Sequence, residues 1–241
     1  MAFIDEAKRM VVAEKLKLRE QYGKKLETLA YFGFLGKNGE TKKGDATHPS
    51  LEKALTSFTL TELEVAATFQ EPTLLLVPET SFKAKVKAID AHKNKGQADS
   101  HVDDIFTKSD SGSDKVTGWR VVIVDGAKEM ELKEGDDKEK QFDQRIKARK
   151  AARKPSEKGM ERHTYALLMM EGLRRGEPID RYGSGKNTYT LLDDDPALSD
   201  SDVPDADWDA NDRRVDFGTI RPGCIRNDAR LRSSVGGRSI I

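Results

Sequence analysis

Four aspartates near the end of the 241-residue chain, Asp205, Asp207, Asp209 and Asp216, stand at positions 1, 3, 5 and 12 of the spacing used by calcium-binding loops. A hard cation needs several oxygen ligands converging from one tight turn. Position 6, which needs glycine for that turn, is Ala210, and position 12 carries Asp rather than the longer bidentate Glu. Aspartates alternating along one exposed strand face give the same spacing, and that reading is preferred. A metal-dependent hydrolase built on the acidic run 193–216 stays as an alternative.

Other chemistry is less well supported. YGSGKN (182–187) has the look of a phosphate loop, yet it lacks the first glycine, lacks Ser or Thr after Lys186, and follows no buried strand. The four histidines, His48, His92, His101 and His163, show no metal-ligand spacing. Cys224 has no neighbour that marks it as a nucleophile. The basic stretch 141–154, with Lys147, Arg149 and Lys150, could lie along phosphates. Its acidic flanks restore the charge balance, and no aromatics interleave for base stacking. A solvated helix face is the preferred reading, and nucleic-acid association is kept as the first alternative function.

Lys+Arg and Asp+Glu balance at 42 each, which removes any global pull toward nucleic acid or anionic membranes. With 35% charged residues and a mean hydropathy of −0.69, a well-solvated surface is expected. A single cysteine excludes an intrachain disulfide framework. The opening MAFIDEAKRMVVAEKLKL lacks an apolar run of signal-peptide length, and no stretch reaches membrane-spanning length. A cytoplasmic protein without membrane contact or cofactor is the expectation.

The elements that must position these residues read as follows. Residues 3–32 carry a broad apolar stripe and predict one long helix. Thr59 or Thr61, each followed three residues later by Glu62 or Glu64, caps a helix over TELEVAATFQ. TLLLVP (73–78) reads as a short buried strand. FKAKVKAI (82–89) alternates Phe82, Ala84, Val86 and Ala88 with polar residues and predicts a half-exposed strand, with helix left open. Residues 94–115 are polar and turn-rich, so a boundary falls there. WRVVIVDG (119–126) is the clearest strand. An acidic linker (127–139) and the basic helix 141–154 follow. Next come an amphipathic helix at 161–175, stopped by Gly176 and Pro178, and an extended piece at 188–192.

From Asn187 onward the composition changes. The last 55 residues hold no Lys, Glu, Gln or Met, while all 25 lysines lie at or before Lys186. Within VPDADWDANDRRVDFGTIRPGCIRNDARLRSSVGG (203–237), short residues run between fixed points: Trp208, Arg213, Arg214, Pro222, Arg226 and Arg232. This tail resembles the carboxy-terminal end of the variable proteins of diversity-generating retroelements, which have a C-type-lectin fold of the formylglycine-generating-enzyme type. In that family a Trp precedes an Arg-containing strand, diversified positions, a Pro, an Arg, further diversified positions and a closing strand. Arg213 to Pro222 and Pro222 to Arg232 match that spacing, and ARLR (229–232) stands where the closing strand would lie. Pro204, Asp205, Ala206 and Asp207 replace the family's Gly-Gly-Ser before the Trp, Arg230 and Leu231 stand in for Gly-Phe, and the Trp-to-Arg interval is shorter.

The resemblance implies that template Asn codons are randomised at their first two bases, which never yields Lys, Glu, Gln, Met or Trp. The implied variable slots are Asp205, Asp207, Asp209, Ala210, Asn211, Asp212, Asp216, Gly218, Thr219, Ile220, Gly223, Cys224, Ile225, Asn227 and Asp228, and all obey the rule. It further implies solvent-facing slots on a rigid frame. Trp208 would pack beneath the surface, Pro222 would fix a turn, and Arg213, Arg214, Arg226 and Arg232 would tie loops to carbonyls and carboxylates. WRVVIVDG would be the domain's first strand and pair with RLRSSV. Related enzymes use a cysteine pair, so with Cys224 alone no catalysis is expected.

The fold class expected is α+β: an N-terminal region (1–115) with a long helix and short strands, then a C-type-lectin-like ligand-binding domain (116–241) with a variable region at about 203–232. The function expected is display of a diversified surface to a protein or other macromolecule, one with a basic surface given the many aspartates.

Overall fold

The computed structural model describes residues 2–37, 39–42, 47–93, 100–102, 116–126, 151, 153–180, 188–193, 203–220 and 229–240. The amino-terminal stripe forms two helices, not one: α1 (Ala2–Lys15) and α2 (Leu18–Tyr31). Lys17 between them takes a left-handed φ of 53°. The break lets Leu16 and Leu18, only two residues apart, both reach the interior, which a continuous helix would not allow.

Two short helices follow, α3 (Leu51–Thr56) and α4 (Leu60–Ala66). The capping box of α4 uses Thr59 and Glu62: the Thr59 hydroxyl accepts from the Glu62 amide at 3.2 Å, and the Glu62 carboxylate accepts from the Thr59 amide at 2.7 Å. β1 (Pro72–Val77) is the buried strand expected there.

Residues 82–89 correct the sequence expectation. They belong to a helix, α5 (Phe82–Lys93), whose buried side is Phe82, Lys85, Ile89 and His92. The spacing is helical, but one of the four inward residues is a lysine, so the apolar pattern alone mimicked a strand. β2 (Ser100–Val102) and β3 (Trp119–Asp125) come next, then β4 (Lys158–Gly159).

The helix expected at 161–175 is α6 (Arg162–Arg175), ended by Gly176 at φ 72°. It is buried on every side from Arg162 to Leu173, so it is a core helix rather than an amphipathic one. β5 (Tyr189–Leu191), β6 (Val203–Asp209), β7 (Arg214–Ile220), β8 (Ala229–Arg230) and β9 (Ser233–Ile240) complete the chain.

The strands form two sheets, ordered β1-β3-β9-β4 and β2-β7-β6-β5-β8. β9 pairs antiparallel with β3, from Trp119↔Ile240 to Val124↔Ser234, so the strand opening at Trp119 meets the carboxy-terminal strand. The partner begins at Ser233, three residues beyond the start of the RLRSSV segment expected for it. β1 pairs along its length with β3, and one hydrophobic core runs from Ala13 to Val235. Residues on both sides of the 115/116 division thus share a sheet and a core. The architecture is mixed α+β, with helices toward the N-terminus and β-structure concentrated toward the C-terminus.

Sheet edges carry unpaired backbone groups, and one is closed by a side chain. Gln21 of α2 donates from Nε2 to the Pro72 carbonyl at 3.0 Å and accepts at Oε1 from the Leu74 amide at 2.8 Å. Its amide occupies the position of a neighbouring strand's peptide along β1.

The 127–139 linker, the 182–187 loop and most of 94–115 and 141–154 lie outside the described residues. At the described end of 141–154, Arg153 pairs with Asp193 at 2.7 Å and Lys154 donates to the Thr68 hydroxyl at 3.0 Å.

Candidate functional site

The candidate site is the β6–β7 hairpin. β6 alternates strictly: Pro204, Ala206 and Trp208 point into the core, while Val203, Asp205, Asp207 and Asp209 lie on the opposite face. On β7, Val215 and Phe217 are fully buried and Arg214, Asp216 and Gly218 share the outer face. Phe217 meets Phe82 edge-on at 4.9 Å and Tyr165 at 5.8 Å between ring centroids. These contacts hold the hairpin against α5 and α6, and they fix which face is outward.

Register places the outer residues in pairs: Asp205↔Gly218, Asp207↔Asp216 and Asp209↔Arg214. Two carboxylates directly opposite each other on neighbouring strands repel. Arg214 relieves one of them, with Nε 2.9 Å from Asp216 Oδ1 and Nη1 3.4 Å from Asp212 Oδ2. The charge of Asp216 in turn holds Arg214 above its ordinary pKa. Asp207 has no such cation, and its Oδ1 is enclosed without a hydrogen-bond partner among the described residues. Burial, then the charges of Asp216 and Asp205, push its pKa up to about 8. Asp207 thus holds its proton to higher pH than an ordinary carboxylate, and Asp205, Asp209, Asp212 and Asp216 lie around it on the outer face and turn.

The turn is set by its own side chains. Asp209 Oδ1 accepts from the amides of Asn211 at 2.8 Å and Asp212 at 3.0 Å, an Asx-type closure. Arg213 completes the turn at φ 54°.

This geometry sorts the slots. Asn211 and Asp212 are exposed, and Asp205, Asp216, Gly218 and Thr219 are half-buried on the outer face or along β7. Others carry structural tasks that the notion of free slots did not foresee. Asp209 closes the turn, Ala210 packs against the main core, Asp207 is partly enclosed, and Ile220 packs with Val203 on a small cluster of Tyr189, Leu191 and Leu231. Gly223, Cys224, Ile225, Asn227, Asp228, Pro222 and Arg226 lie outside the described residues.

The frame positions divide as well. Trp208 is 6% exposed and packs in the core. Arg213 is exposed at the turn, with a left-handed φ. Arg232 is fully buried. It donates from Nη2 to Asp180 Oδ1 at 3.0 Å, from Nη1 to the Asp125 carbonyl at 3.2 Å and from Nε to the Thr190 hydroxyl at 2.9 Å. Thr190 and Tyr165 donate to the other oxygen of Asp180, at 2.6 and 3.1 Å. Burial, then the charge of Asp180, holds the Tyr165 phenol well above its ordinary pKa. The Asp125 carboxylate accepts from the amides of Gln70 and Glu71, both at 3.1 Å. One polar network thus ties the residues just before β1 to β3, α6 and the segment after it, β5 and the residue that precedes β9. Nothing in the spacing of Asp180, Thr190 and Tyr165 signalled this role.

Chemically, the outer face can accept hydrogen bonds and ion pairs from cationic or polar groups. It does not form the calcium loop that the spacing allowed: the aspartates alternate on an extended strand, and no group of three or more His, Cys, Asp or Glu among the described residues could hold a metal ion. No described helix is long and apolar enough to cross a membrane. Comparison with protein-family models, with curated proteins and with solved structures finds no match for this chain.

Proposed function

We propose that the protein binds a macromolecular ligand, a protein with a basic or polar surface, through the outer face and turn of the β6–β7 hairpin, and that this surface is diversified as in the retroelement variable proteins its tail resembles. The observation that carries this reading is the one-sidedness of the hairpin: Trp208, Val215 and Phe217 face the core while the aspartates face away. A face anchored from behind keeps its shape when outward residues change, and a preordered surface loses less entropy on binding. The residue types in the tail add to it, since none of the described slots is one that adenine-directed change of Asn codons cannot reach.

With many carboxylates and no outward aromatic anchor on the two strands, the face suits salt-sensitive binding of modest affinity. The test is replacement of Asp205, Asn211 and Asp212 together by Ser. Affinity for a Lys/Arg-rich peptide, measured at low and at high salt, falls in the variant, while the thermal midpoint is kept. Loss of folding in the variant would contradict the display reading. At the gene level, the reading requires a near-copy of the tail's coding segment, with adenines at the slot codons, beside a reverse-transcriptase gene.

A further inference from the structure

A shallow cleft opens on the first sheet, where α6 begins beside an irregularity in β9. Arg120↔Ser239 and Val122↔Gly236 are both in register, so Gly237 and Arg238 stand opposite the single residue Val121. Gly236 and Gly237 hold φ of 85° and 84°. A side chain at 236 would meet the Phe58 ring at 2.6 Å and the Val121 carbonyl at 2.8 Å. The bulge therefore leaves bare backbone as one wall of the cleft.

The other walls carry donors. Arg120 comes from β3, Lys158 from β4, and His163 and Thr164 from the first turn of α6. Lys158 is exposed. Arg120 Nη1 lies 3.6 Å from Glu161 Oε2, with both side chains partly in solvent, so the pairing is loose and its donors are available. His163 is buried, and Lys85 Nζ approaches its Nδ1 at 3.2 Å. In the tautomer in which Nδ1 accepts from Lys85, the ring proton sits on Nε2. Lys85 is itself fully buried behind the imidazole and donates to the Thr80 carbonyl at 3.3 Å. Glu161 is the single acid among the lining residues.

We infer that this cleft binds a phosphate group, either inorganic phosphate or the terminal group of a phosphomonoester. Arg120 and Lys158 supply charge, and His163 and Thr164 supply directed hydrogen bonds. Donors that line one cleft from two strands and a helix suit a tetrahedral oxyanion better than a flat carboxylate. The site lies on the other sheet from the hairpin and stands whether or not that face displays ligands.

The experiment is calorimetric titration and thermal unfolding of the full chain with sodium phosphate and with phenyl phosphate, each against chloride at equal ionic strength. Phosphate is expected to bind saturably and to raise the unfolding midpoint. Arg120→Gln with Lys158→Gln weakens that binding about tenfold or more. Lys158→Gln alone, at an exposed position, gives a smaller loss and guards against a folding defect in the pair. Equal affinity for phenyl phosphate identifies a monoester as the ligand class, and preference for inorganic phosphate identifies the free anion; either supports the site. A response no larger than that to chloride, or undiminished binding in the double variant, overturns it.

Discussion

Two Asp–Arg groupings, one enclosed behind the β6–β7 hairpin and one on its outer face, behave in opposite ways. Behind the hairpin, Arg232 and Asp180 are fully enclosed, and each donor nitrogen of the guanidinium meets an oxygen. On the outer face Arg214 is divided between Asp212 and Asp216, and Asp207 holds its proton to higher pH than an ordinary carboxylate. The difference lies in partners and burial: Asp180 is matched by its own cation, while Asp207 is enclosed beside other carboxylates and its pKa is pushed up to about 8.

The comparison breaks most visibly at the inner pair. Arg232→Met strands the Asp180 charge in the interior and is expected to cost about 3–5 kcal/mol in urea unfolding. Arg232→Met combined with Asp180→Leu should recover much of that loss, because no lone charge remains. Near-additive losses in the double variant would show that the two residues do not act as a unit.

Next in size is Asp207. Its folded pKa is raised above the unfolded value of 3.8, so the native state holds this proton more tightly than the unfolded chain does. Its contribution is most favourable below about pH 4 and is lost as pH climbs toward 8. Asp207→Asn should therefore stabilise the protein at alkaline pH, by on the order of 2 kcal/mol once solvent screening is allowed for, and change little at acid pH. A pH-independent effect would remove Asp207 from this role.

Arg214→Gln sharpens the contrast from the other side. Stability should fall by less than about 1 kcal/mol, since the pair is near the surface. The titration of the Asp207–Asp216 pair, followed by carboxyl NMR shifts, should move to higher pH as the local cation is lost. The smallest effect is expected at the exposed turn, where Asn211→Ser alone should change stability by about 0.5 kcal/mol or less in urea unfolding.

Much of the fold was legible wherever local chemistry acts over short range. Thr59 and Glu62 announced α4, Gly176 announced the end of α6, and the β-branched run from Trp119 announced β3. Errors came where an inward position is polar or a break is tertiary in origin. Lys85 hid the helical stripe of α5, and nothing local forces the turn at Lys17 between α1 and α2. The outer-face aspartates were visible as an alternating set, but the proton on Asp207 depends on Asp216 across the hairpin and on burial. Asp180 and Thr190 were not visible at all, because their partner Arg232 lies 52 and 42 residues away.

The amide of Gln21 against β1 has a bearing on how molecules of this protein meet one another. A foreign strand that sought to extend the first sheet would first have to evict that side chain from two backbone hydrogen bonds. Gln21→Ala would leave the Pro72 carbonyl and the Leu74 amide open to any passing strand, and concentration-dependent clumping, followed by light scattering, is the expected sign. Protection of this sheet edge thus falls to one neutral side chain of the second helix.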